Sequence, residues 1–154
     1  MLGRMRFPIV IAALFTVSCG QAPPSGQQAH SDPTTEPWYG KTVTELAALD
    51  RDANDLFRKG KGDEAAALIE KGEPMSARLL AVKQPTLAAT EAASDLDQLY
   101  GQMLLSNRNY GWARLMFQKN VARWKIWRPQ TPDTAARLQQ AQAAIEECDR
   151  KMTQ

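Results

Sequence analysis

Histidine and cysteine are almost missing from this chain of 154 residues: there is one His, at position 30, and two Cys, at 19 and 148. So small a supply excludes a zinc centre built on His and Cys and leaves no Ser-His-Asp or Cys-His constellation. Phosphate-binding and nucleophile-elbow loops of the forms G-x-x-x-x-G-K-[ST], G-x-G-x-x-G and G-x-S-x-G are also absent. No stretch alternates with period two for long enough to argue a strand. The longest apolar run, Phe7 to Val17, is about eleven residues, too short to cross ~30 Å of hydrocarbon as a permanent helix. Excess charge of one sign is lacking too. Lys and Arg number 19 against 17 Asp and Glu, and two of the positives, Arg4 and Arg6, lie in the first eighteen residues. Without them the chain is neutral, which removes the basic footprint of a general nucleic-acid binder.

What is present begins with order along the chain. Two arginines, a short apolar run and the small residue Ser18 have the layout of a secretory signal over residues 1–18. The stretch Val17-Ser18-Cys19-Gly20 resembles a bacterial lipobox, although Thr16 stands where that motif has an aliphatic residue. The resemblance implies that Cys19 becomes the lipidated first residue and anchors the chain to a membrane. With no aspartate after the cysteine, it also implies the outer membrane, facing the periplasm. Lipid chains bind at ~0.8 kcal/mol per buried CH₂. With Cys19 acylated, Cys148 has no partner for an intrachain disulfide.

Residues 19–41 follow as a linker rich in Pro, Gly and Gln, with four prolines and three glycines between positions 20 and 40. This composition buries little apolar surface and reads as an extended tether. His30 lies inside it and reads as a solvated side chain.

From residue 42 to 154 the spacing turns helical and predicts an all-α domain of about five or six helices. Thr42-Val43-Thr44-Glu45 has capping-box spacing, and Leu46, Leu49, Ala53, Leu56 and Phe57 form one apolar stripe. Gly60 and Gly62 close that helix, and Asp63 and Glu64 open the next. Gly72 and Pro74 predict an interruption, with a short further helix from Met75 to Val82. Gln84-Pro85-Thr86 resets the chain before a long helix through Leu87, Leu96 and Leu105. Asn107 to Asn109 makes a turn, and a helix runs from Tyr110 to Arg128. Thr131 caps the last helix with Pro132 at its first position, and Leu138, Ala141, Ala144, Ile145 and Cys148 line its inner face.

A weak repeat runs through this domain with a constant shift of 48 residues, pairing Leu56 with Leu104, Ala65 with Ala113 and Ile69 with Phe117. Each unit resembles the tetratricopeptide repeat, a helix-turn-helix module of protein interaction. Tyr100-Gly101 falls at that family's leucine–glycine pair, and Ala113 and Phe117 at its small and large positions; Gly60, Asp63, Glu64 and Ala65 match its turn. The family's period is 34 rather than 48. The resemblance implies an antiparallel helix-turn-helix array that binds another protein.

Residues 107–132 hold three of the four tryptophans, six Lys or Arg and no Asp or Glu. Helical phase divides them. Phe117 and Trp124 fall on a core stripe, whereas Trp112 and Trp127 share a face with Lys119 and Arg123. Trp with Arg is the composition of interface hot spots, and a guanidinium can stack on an indole. These four residues are the candidate partner-binding face. The expected partner is an envelope protein; an anionic envelope ligand, lipid phosphate or peptidoglycan, is the alternative. The acidic residues of the helices, among them Asp50, Glu91, Asp95 and Asp97, read as solvated faces. No catalytic residue, metal or cofactor is expected.

Overall fold

A computed structural model describes residues 32–154. The expected signal segment, Cys19 and most of the expected linker lie outside the described residues. The regular elements within them are all helical: a 3-10 turn at Pro33–Thr35, then α1 (Pro37–Arg58), α2 (Gly62–Leu80), α3 (Leu87–Ser106), α4 (Tyr110–Ile126) and α5 (Pro132–Met152). Consecutive helices pack antiparallel. α3 contacts α1, α2 and α4, and α5 closes the series against α4.

The helical part begins before residue 42. Pro37 opens α1 at a position where its missing N–H costs nothing, and Tyr39 is buried. Thr42 therefore caps nothing. It is buried inside α1, and its hydroxyl donates to the Trp38 carbonyl at 2.7 Å. A threonine hydroxyl can satisfy itself on the carbonyl one turn back, so the T-x-x-E spacing was matched by a mid-helix arrangement. The Tyr39 hydroxyl accepts the backbone N–H of Thr86 at 3.0 Å, tying the start of α1 to the start of α3.

The predicted break at Gly72 and Pro74 does not occur, and α2 runs through both residues. Gly72 has a packing role. A Cβ there would lie 3.1 Å from Leu46 Cδ1 and 3.0 Å from Leu96 Cδ2, so the bare backbone admits the leucines of two neighbouring helices. Pro74 is exposed, and the burial of Ser76 and Leu79 beyond it holds the helix together. Tertiary burial outweighs the ~3 kcal/mol that an interior proline costs.

Other boundaries follow the sequence closely. Thr86 caps α3, its hydroxyl accepting from Ala89 N at 3.2 Å. Thr131 and Thr134 form a reciprocal capping box at α5, with Pro132 in the first turn. The α4 helix stops at Ile126, and Gln130 Nε2 donates to the carbonyls of Trp124 and Trp127 at 2.8 and 2.9 Å.

The repeat is visible in the turns. Gly60, after α1, has φ +76°; Lys61 N donates to Leu56 O and Gly60 N to Phe57 O, both at 3.0 Å. This pair of bonds is a Schellman closure, with its left-handed residue at Gly60. After α3 the same pair forms 48 residues on: Asn109 N to Leu104 O at 2.8 Å and Arg108 N to Leu105 O at 3.1 Å, with Arg108 at φ 60°. The hairpins α1/α2 and α3/α4 are built to one plan.

Candidate functional site

The four side chains singled out on α4 do not form one open basic face. Asp97 of α3 lies between the two cations. Lys119 Nζ is 3.1 Å from its Oδ1, and Arg123 Nη2 is 2.9 Å from its Oδ2. Arg123 Nη1 also donates to Ser94 Oγ at 2.9 Å and to Asn120 Oδ1 at 2.8 Å. Asn120, itself buried, donates to the Ser94 carbonyl at 2.9 Å. This is a half-buried polar network joining α3 to α4, and most of the Arg123 guanidinium is committed to it. Trp127 packs edge-on against Trp124, ring centres 6.3 Å apart. Trp112 is 64% exposed on the first turn of α4. The expected stacking of Arg123 on an indole is not what forms. The guanidiniums over tryptophan rings belong to Arg78, on Trp38 at 4.0 Å, and Arg137, on Trp124 at 5.5 Å.

A different site emerges on the side of α3 turned to α1 and α5. A groove of about 420 Å³ is lined by Asp50, Asn54 and Phe57 of α1, by Asp95, Gln98 and Gln102 of α3, and by Gln140 of α5. Its walls are mostly carboxylates and amides. Asp95 is held by Arg137 of α5, which also lies 3.9 Å from Glu91. Asp50 is not so held. Its Oδ1 is buried and has no hydrogen-bond partner. Burial, then the charge of Asp95, push its carboxyl up to about 6, against a smaller opposing pull from Arg51. A carboxylate oxygen kept from water and left unpaired is costly. It marks a place where a donor group brought by a ligand would be strongly held.

Sequence reasoning treated Asp50 and Asp95 as solvated faces. The available signal was the i,i+4 spacing of Asp50 with Asn54 and of Glu91 with Asp95, which aims pairs of polar groups along single helix faces. What spacing cannot give is which face lies against a neighbouring helix.

The remaining reactive group is inert here. Cys148 is buried on α5, and burial followed by the charges of Asp149 and Glu147 raises its thiol above the usual range, disfavouring a thiolate. Among the described residues no cluster of His, Cys, Asp and Glu has metal-binding geometry, and no helix is long and apolar enough to cross a membrane. No protein-family model, no curated protein and no solved structure matches this chain.

Proposed function

We infer that the chain is a lipid-anchored envelope protein, attached through Cys19 to the outer membrane and facing the periplasm. Its helical array, similar to tetratricopeptide repeats, serves as a protein-interaction module. The observation that carries the interaction reading is the unpartnered, buried Asp50 oxygen in the groove between α1, α3 and α5. Amides on three walls supply donors and acceptors for a partner's backbone, and Asp50 with Asp95 favours a basic side chain in the centre. The network at Lys119 and Arg123 has less to offer an anion, because Asp97 already answers both cations.

The test is site-specific photo-crosslinking in cells. A crosslinker replacing Gln98 or Gln102 should give one discrete protein adduct, lost when Asp50→Gln is added. Absence of an adduct at both positions, or an adduct indifferent to Asp50→Gln, sinks the groove reading. Asp50 also predicts a pH signature for the purified protein. Its folded-state pKa lies above the ordinary value, so the folded state binds the proton more tightly than the unfolded state. Stability should therefore rise as pH falls through 6 toward 4, by roughly 1 kcal/mol after allowing for the group's partial exposure. Asp50→Gln should flatten that part of the pH–melting profile.

A further inference from the structure

We propose that the end of the helical array at which the described chain begins is a membrane-facing surface that rests on an anionic lipid bilayer. The inference depends on the reading of Cys19 as the lipid anchor, and it adds an orientation that anchoring alone does not give.

Topology gathers one set of ends together. The Tyr39–Thr86 hydrogen bond places the start of α1 beside the start of α3. Arg78 over Trp38 brings the end of α2 to the same place. The bonds of Asn120 and Arg123 to Ser94 lay the last turns of α4 along the first turns of α3, and Arg137 with Asp95 and Glu91 does the same for the start of α5. The two hairpin turns, at Gly60 and Arg108, lie at the opposite end, ~33 Å away along a helix the length of α1.

Only thirteen residues separate Cys19 from Asp32, a reach of at most about 45 Å. A lipid at Cys19 therefore keeps the near end close to the bilayer, while the far end stands a helix length further off. The near end has the composition for contact. Ile126 is 78% exposed and Leu87 38% exposed, although both are large and apolar. Trp127 is half-buried beside them, and Trp38 is half-buried at the start of α1. Lys83, Lys125 and Arg128 are exposed around them. The acids at this end, Glu36 and Asp133, sit at the N-termini of α1 and α5, where the helix dipoles answer them. Exposed aliphatics, tryptophan and a ring of Lys and Arg are the ingredients of a surface that settles into the headgroup region of an anionic bilayer. Each contact is weak, and the short connection supplies the local concentration that makes weak contacts count.

The experiment uses the full-length, processed protein in two arms. In cells, Cys19→Ser should shift the protein out of the outer-membrane fraction and change its mass. If neither changes, the anchor reading fails. In the second arm, the anchored protein is placed in phosphatidylethanolamine–phosphatidylglycerol vesicles with brominated acyl chains, which quench tryptophan near the bilayer. Quenching should persist in Trp112→Phe, whose residue lies at the far end. It should fall in Trp127→Phe, and it should be lost in Ile126→Glu combined with Lys125→Glu, two exposed positions where the fold tolerates change. Circular dichroism of that variant checks that it is folded. Loss of quenching in Trp112→Phe alone, or no quenching of the anchored wild type, overturns the proposal. So does a protein crosslink formed at Ile126, which would make the same end a protein interface.

Discussion

The two hairpins share a backbone plan and differ in what fills it. Taken 48 residues apart, Leu46, Leu49, Gly72 and Met75 of α1/α2 become Ser94, Asp97, Asn120 and Arg123 of α3/α4. In the first hairpin the contact is apolar, with Leu46 Cδ1 in the gap left by Gly72. In the second the same positions carry the hydrogen-bonded network around Asp97. Lys119 repeats Lys71, and what changes beneath it is Asp97 in place of Leu49. The cations that looked like a binding face from sequence are thus the polar counterpart of an apolar helix contact. A charge that finds its answer within the fold belongs to structure; one that does not, such as Asp50, is open to a ligand.

The small–large pair differs as well. Ala53 and Ile69 of the first hairpin correspond to Gly101 and Phe117 of the second, all four buried. A Cβ at Gly101 would lie 2.5 Å from Phe117 Cε1, so the larger ring requires the smaller partner. Gly101→Ala should lower stability by about 3 kcal/mol, read from chemical denaturation. Adding Phe117→Ile, which copies the first hairpin's pair, should restore part of that loss. If the double variant is as unstable as the sum of the two changes, the pairs are not equivalent.

Arg123→Met copies Met75 into the network and strands Asp97 with Lys119 alone. The expected cost is about 2 kcal/mol. An unchanged melting temperature would mean that the network contributes nothing and that Arg123 is available to a partner after all. The smallest effect concerns the turns. Arg108 holds the left-handed conformation that glycine holds at position 60, so Arg108→Gly should stabilise the protein by about 1 kcal/mol. A loss of stability there would show that the Arg108 side chain makes a contact that matters.

Much of this architecture is legible in the sequence because local rules decide it. Pro85-Thr86, Thr131-Pro132 and Asn107–Asn109 mark ends through capping and turn chemistry, and those signals need no neighbours to act. The misread boundaries lie where neighbours decide. Gly72 and Pro74 look like a stop until Leu46 and Leu96 are seen against the glycine, and Thr42 looks like a cap until Tyr39 is seen buried. The site was less legible for the same reason. Helical phase separated the core residue Trp124 from the exposed Trp112, but it could not show that Asp97 would answer Lys119 and Arg123. Nor could it show that Asp50 would lose its water without gaining a partner.

The bond from Thr86 N–H to the Tyr39 hydroxyl has a mechanical meaning. Without it, tension on the chain entering at Asp32 would act on the first turn of α1 alone and peel it away one residue at a time. With Tyr39 buried and bonded at the head of α3, and Arg78 lying over Trp38, the pull is delivered to the central helix and shared among several contacts that must give way together. A protein moored by its N-terminal end to a moving surface would gain resistance to being unravelled from that end.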